Sequence, residues 1–205
     1  MAWAPNYTTS EALAAFVRIG DTLDDVQLTL AIAAASRAVD RACGRQFGGL
    51  TVAAPRFYTA RWDCRRGQWF AEIDDLVDTT GLAVAADTVG EGDYDQTITG
   101  VTLEPLNAAG DGRPYTELWV RSGASVTPAG IVNGLRVTAL WGWAEVPDPI
   151  VQATLLQASR LLARRDSPYG VAGSPEAGSE MRLLARLDPD VEIACRPFRR
   201  MWGAV

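Results

Sequence analysis

The sequence predicts an α+β chain: a helical core in which a long second helix packs with a later antiparallel helix, interrupted by a small antiparallel β-barrel or sandwich and followed by an extended C-terminal tail. Two observations predict it. The apolar period is 3.6 in the first third, falls to 2 between about Arg56 and Trp143, and returns to 3.6 after Pro147. With 205 residues, 48% of them hydrophobic, the chain has material for one compact domain or two small ones. The boundaries that follow are residues 1–50 with 146–190 for the helical core, 51–145 for the inserted β domain and 191–205 for the tail.

Thr8, Thr9 or Ser10 caps a short helix carrying Leu13, Phe16 and Val17, and Gly20 ends it. Asp21 or Thr22 then opens a long helix. Its Leu28, Ile32, Ala35, Val39 and Ala42 fall at i, i+4, i+7, i+11 and i+14, which is one apolar stripe, and Gly44 suits the position just past its end. Six strands follow at Arg56–Arg61, Gln68–Ile73, Leu82–Ala86, Gln96–Leu103, Tyr115–Val120 and Leu135–Trp143, separated by Gly, Asp, Asn and Pro. In the last, Leu135, Val137, Ala139, Trp141 and Trp143 share a face opposite Arg136 and Thr138. Asp148 as N-cap with Pro149 at the first helical position starts a helix whose Val151, Leu155, Ala158 and Leu162 form the buried stripe. Arg164 and Arg165 suit its C-terminal dipole. Ser167, Pro168 and Gly170 end it, and the run to Ser179 is a loop. Met181–Leu187 is a short helix or strand, and Pro197 interrupts regular helix in the tail.

Composition removes whole classes of chemistry. Histidine is absent and all 19 basic residues are arginine. Ser-His and Cys-His nucleophiles, histidine bases and the usual zinc-hydrolase ligand sets are excluded, as are Schiff-base lysines and the P-loop lysine. Carboxylate-pair chemistry or an acidic metal site is what remains. Asp74, Asp75 and Asp78 are dense enough to be considered as acid and base, but turns and strand ends attract aspartate anyway, and no enzyme is expected. Cys43, Cys64 and Cys195 lie far apart without C-x-x-C spacing, which reads as reduced thiols in a cytosolic setting. No signal peptide is visible at Met1–Ser10, and no apolar run reaches the roughly 18 residues of a membrane span.

The net charge of -6 is unevenly spread. Glu72 to Glu117 holds eleven acids against Arg113 alone, whereas from Val151 onward eight arginines face six acids. An acidic middle repels polyanions and disfavours a nucleic-acid groove, yet a carboxylate-lined channel lets a duplex slide. The loop Asp87–Gln96 superficially resembles a calcium loop, but counting from Asp87 puts Val89 at position 3 and Ile98 at position 12, so it reads as a solvated hairpin turn. Trp62, Trp69 and Trp119 offer an alternative, a sugar-stacking face of a carbohydrate-binding β module, while the alternation of Trp141 and Trp143 marks core. The tail sets Phe198, Met201 and Trp202 among Arg196, Arg199 and Arg200, a segment that either folds back on the domain or docks on another chain.

The long helix ending in Val39-Asp40-Arg41-Ala42-Cys43-Gly44-Arg45-Gln46-Phe47, the Leu103-Glu104-Pro105-Leu106-Asn107 stretch, Trp141-Gly142-Trp143 before Val146-Pro147, and Ala158-Ser159-Arg160-Leu161 before Arg165-Asp166-Ser167-Pro168-Tyr169-Gly170 carry a resemblance. Asp188-Pro189-Asp190-Val191 and Pro197-Phe198-Arg199-Arg200 extend it over nearly the whole chain. In this order and spacing they resemble the head-to-tail adaptor (head-tail connector) proteins of long-tailed actinobacteriophages. The chain departs from that pattern in ending with Met201 and Trp202 and in the polarity of Ser174–Met181.

The resemblance implies a structural virion protein at the head-tail junction, made in the host cytoplasm, with no cofactor, no metal and no membrane. It implies a homo-oligomeric ring, commonly a dodecamer, that docks beneath the portal protein, receives the neck (stopper) protein and passes genomic DNA without sequence-specific binding. Carried over residue by residue, it puts Arg196, Pro197, Phe198, Arg199 and Arg200, with Met201 and Trp202 beyond them, at a portal contact. The long helix and the Pro149–Arg164 helix supply subunit contacts through Leu28, Arg37, Arg41, Arg160 and Arg164. On this view a chain truncated after Asp190 folds but no longer binds portal.

Overall fold

The computed structural model describes residues 3–20, 24–166, 171–172, 181–182 and 188–200. It is a mixed α+β chain whose contacts divide it into two compact units, Met1–Phe47 with Val146–Val205, and Gly48–Glu145.

In the first unit, helix α1 (Ser10–Val17) is capped by Thr9, whose hydroxyl accepts the Ala12 N–H at 3.2 Å. It ends on Arg18 in the left-handed conformation rather than at Gly20, because the Ile19 N–H closes back on the Ala14 carbonyl at 2.9 Å. Helix α2 (Asp25–Cys43) begins after Asp24, later than expected; Asp21 and Thr22 lie outside the described residues. Gly44 ends it with φ of 65°, as its place in the sequence requires. The buried face carries Leu28, Ile32, Ala35 and Val39 as the stripe foresaw, while Ala42 is only partly buried and Ala31, Ser36 and Cys43 widen the face.

Helix α3 (Asp148–Asp166) opens with the Pro147 carbonyl accepting the Ile150 and Val151 N–H groups. Among its described side chains Ile150, Ala153, Thr154 and Ala158 are fully buried; of the expected Val151/Leu155/Ala158/Leu162 stripe Ala158 is buried and the other three are partly exposed, so the burial is rotated. The rotation follows from two sets of neighbours, α1 and α2 on one side and a C-terminal helix, Pro189–Cys195, on another, which draw in small residues between them. Leu28, Ala31 and Ile32 in the first half of α2 share a cluster with Leu155, Ala158, Leu161 and Leu162 toward the end of α3, the pairing an antiparallel arrangement gives. The short strands β9 (Val171–Ala172) and β10 (Met181–Arg182) pair antiparallel, and residues 173–180 and 183–187 lie outside the described residues.

The C-terminal segment is not extended. Helix α4 (Pro189–Cys195) runs into a 3₁₀ turn (Arg196–Phe198). Asp188 caps α4 by accepting the Asp190 N–H at 2.8 Å, and Pro189 supplies a pre-set φ where no N–H is needed. Pro197 sits early in the 3₁₀ turn, where its missing N–H again costs nothing.

The second unit has eight strands where six were expected: β1 (Ala54–Tyr58), β2 (Arg61–Asp63), β3 (Gln68–Leu76), β4 (Ala83–Ala86), β5 (Gln96–Thr97), β6 (Val101–Glu104), β7 (Tyr115–Val120) and β8 (Leu135–Ala139). They make two four-stranded antiparallel sheets, ordered β1-β8-β4-β5 and β2-β3-β7-β6. Each sheet keeps its edge strands, so no barrel closes. Two expected strands were split where the chain changes sheet. Arg56–Arg61 breaks between β1 and β2, and Gln96–Leu103 breaks at Gly100, whose φ of 89° turns β5 into β6. Ile73, Leu118, Leu135, Val137 and Trp141 from both sheets form one apolar core.

The unit's entry and exit are tied together. Gly49 bridges Gly142, the Trp143 N–H donates to the Gly48 carbonyl at 2.8 Å, and the Leu50 N–H to the Trp141 carbonyl at 2.8 Å. Gly142 has φ of 113°, and a Cβ there would lie 2.0 Å from the Gly48 oxygen.

Candidate functional site

The C-terminal segment is seated on the helical unit through one apolar face. Val191 and Cys195 are fully buried, one helical turn apart. Phe198 meets Phe47 edge-to-face at 5.8 Å, and Phe47 meets Tyr7 edge-to-face at 5.6 Å, an aromatic chain joining three separate stretches of sequence. The Arg200 N–H donates to the Cys43 carbonyl at the end of α2 at 2.8 Å. Tyr7 is itself pinned: its hydroxyl donates to Asp40 and accepts the Phe47 N–H at 2.9 Å, and its backbone N–H donates to the Ser36 hydroxyl at 3.2 Å. Burial and the Asp40 carboxylate hold the Tyr7 phenol far above its ordinary pKa, and burial raises Asp40. The seat is therefore a satisfied polar and aromatic junction.

The opposite face of the segment stays outside. Ile193, Arg196, Pro197 and Arg199 are exposed, with Arg199 paired to Glu192 at 3.0 Å. Phe198 is partly buried against Phe47, so it anchors the segment rather than being offered to a partner. Met201 and Trp202 lie outside the described residues.

The five expected subunit-contact residues are differently placed. Leu28 is fully buried between α1, α2 and α3, so its side chain belongs to the chain's own core and has no surface for another subunit. Arg37 pairs with Asp40 at 2.9 Å, donates to the Pro5 carbonyl and lies over the Tyr7 ring. Arg160 pairs with Asp188 at 2.7 Å and so holds the cap of α4. Arg41 is exposed on α2, and Arg164 is half-buried near the end of α3.

In the second unit the acidic residues are mostly occupied with structure. Asp87 is buried and accepts N–H groups from Gly90 and Gly92 at 2.7 Å each and from Val89 at 3.1 Å, so its loop is a self-capped turn. Those N–H groups hold its carboxyl below the usual carboxylate range. Asp74 accepts from the Tyr58 hydroxyl at 3.0 Å and pairs with Arg56 at 2.7 Å; Asp75 is buried and accepts the Trp143 indole N–H at 2.9 Å; Asp78 accepts the Thr80 N–H at 2.7 Å. Among the described residues no three histidine, cysteine or carboxylate side chains are grouped to hold a metal ion.

The tryptophans expected to be available for stacking do not form a common platform. Trp119 is buried under Arg66, which lies 4.1 Å over its ring, and against Phe70, stacked at 4.8 Å. Trp69 is partly buried, and Trp62, half exposed, meets it at 66°. Trp141 and Trp143 are core, as their alternation indicated.

No protein-family model matches the chain, and no curated protein matches it. Among the described residues no helix is long and apolar enough to cross a membrane. Sequence reasoning missed α4 and with it the seating residues Tyr7, Phe47, Val191 and Cys195. The signal was present: Asp188-Pro189 is the same cap-and-proline pair that located α3 at Asp148-Pro149.

Proposed function

We propose that the chain is a head-to-tail adaptor of a long-tailed phage: a structural virion protein that forms a closed ring, of dodecamer type, between the portal and the neck protein and extends the DNA channel for genome retention and ejection. The helical unit, with its antiparallel α2 and α3, serves as the ring wall, and the β unit is an insertion in it. The observation that carries the reading is the C-terminal segment, held firmly by Val191, Cys195 and Phe198 while it turns Ile193, Arg196, Pro197 and Arg199 to solvent. Asp190 and Glu192 are exposed beside them and balance the two arginines, so the segment offers an apolar patch rimmed by both signs of charge on a seated support, which suits a docking element. Charge supports the second half of the reading. By sequence the whole net charge of -6 falls on Gly48–Glu145, which has thirteen acids and seven arginines, against twelve of each in the remainder. Such a surface does not hold phosphates, which suits DNA that must slide.

The test is binding to purified portal. The double variant Arg196→Glu, Arg199→Glu changes exposed residues only, so it should fold as the parent does and bind portal at least about tenfold more weakly, the scale of a lost hot-spot charge contact. Undiminished binding would sink the assignment of the segment. Portal-bound complexes that never show a closed ring would defeat the adaptor reading as a whole.

A further inference from the structure

Two of the three cysteines meet. Cys43 closes α2 and Cys195 closes α4; both are fully buried. The Cys43 thiol donates to the Cys195 carbonyl at 3.8 Å, which brings the two cysteines to one buried spot between the ends of α2 and α4. The Arg200 N–H reaches the Cys43 carbonyl at 2.8 Å, so the chain passes the end of α2 on both sides of this contact. Cys64 stands apart, exposed in the other unit.

We propose that Cys43 and Cys195 form a dithiol site for a peroxide-class oxidant, converted to an intramolecular disulfide that fastens the C-terminal segment to the end of α2. The inference rests on the packing of the helical unit and stands apart from the adaptor reading. The two sulfurs are not equivalent. Hydrogen bonding from Cys43, with Arg199 nearby, favours the Cys195 thiolate, while the same bond and burial hold Cys43 protonated. Cys195 is thus the attacking sulfur and Cys43 the resolving one. The Cys195 thiolate attacks hydrogen peroxide, forming an S–O bond as the O–O bond breaks, and hydroxide leaves. Cys43 then attacks the resulting sulfenic acid; the S–S bond forms, and its thiol proton leaves with the sulfenic oxygen as water. The peroxide is reduced by two electrons, and the two thiols lose them. The product ties together residues far apart in sequence, which removes freedom from the unfolded chain.

The test uses the full chain carrying Cys64→Ser, so that no exposed thiol competes. Hydrogen peroxide should produce an intact-mass loss of two hydrogens and a Cys43–Cys195 linked peptide, both reversed by dithiothreitol, with a higher urea midpoint for the oxidised form. A second arm adds Cys43→Ser: without its resolving partner Cys195 should stop as a sulfenic acid that dimedone traps, whereas the chain with both cysteines should give little adduct. Recovery of the two cysteines unlinked after peroxide, whether alkylated or as sulfinic acids, overturns the proposal, as does equal dimedone labelling in both chains.

Discussion

Ending the chain after Asp190 tests whether the C-terminal segment is a removable tail or part of the core. The cut removes two fully buried side chains, Val191 and Cys195, the Phe198 ring against Phe47, and the Arg200 N–H that satisfies the Cys43 carbonyl. Full burial of an aliphatic side chain contributes about 1.5–3 kcal/mol and an edge-to-face ring pair about 0.5–1.5 kcal/mol, so the combined loss is about 4 kcal/mol. That is a large part of the roughly 5–15 kcal/mol by which a domain is stable. With a urea dependence of about 2 kcal/mol per molar, the midpoint should fall by about 2 M. The assay can watch each unit separately. Helices α1 to α4 all lie in the helical unit, so far-ultraviolet circular dichroism follows it, whereas five of the seven tryptophans lie in the β unit and dominate fluorescence. The dichroism midpoint should drop sharply. A truncated chain whose dichroism midpoint matches the full chain would refute the seating argument and restore the view of residues 191–205 as a detachable tail.

Two further predictions concern the β unit. Gly142→Ala places a Cβ 2.0 Å from the Gly48 oxygen at φ of 113°, and should destabilise the unit by about 3 kcal/mol or more, read as a lower fluorescence midpoint in urea; a change under about 1 kcal/mol would show the approach of the two strands to be looser than described. Asp87 has a carboxyl held below its ordinary value of 3.8 by Gly92, Gly90 and Val89 N–H groups, so its contribution is present above that value and is lost as pH falls through the lower, folded one. Asp87→Asn should accordingly lower the midpoint at neutral pH and converge with the parent in acid, and a difference that stays constant across the titration would remove the carboxylate as its cause.

Periodicity located the elements that bury a full stripe. The apolar face of α2, its stop at Gly44 and the Leu135/Val137/Ala139 face of β8 were all legible. What periodicity does not encode is which sheet a strand joins, so the runs at Arg56–Arg61 and Gln96–Leu103 read as single strands although each changes sheet midway. Alternation runs on through the first corner, from Tyr58 to the buried Ala60, whereas at Gly100 it slips by one residue, from Ile98 to Val101 and Leu103. Helix α4 was missed for a different reason. At seven residues it buries just Val191 and Cys195, too few to display a period, and Asp188-Pro189 alone marks its start. Leu28 shows the opposite error. Its place on the apolar stripe was visible, but a stripe does not say whether its partner is the same chain or another, and here α1 and α3 cover it.

The closed entry of the β unit also bears on how the chain folds. Between α2 and α3 runs the whole of Gly48–Glu145, and the entropy of closing a loop rises with the logarithm of its effective length. Once Gly49 has bridged Gly142 and the Trp143 N–H has found the Gly48 carbonyl, that length shrinks to the few residues outside the clamp. The antiparallel pairing of α2 with α3, distant in sequence, then becomes a local event, much as in a helical hairpin with a tight connection. Folding of the two units is thereby coupled: whichever of the clamp and the helix pair forms first shortens the search left to the other.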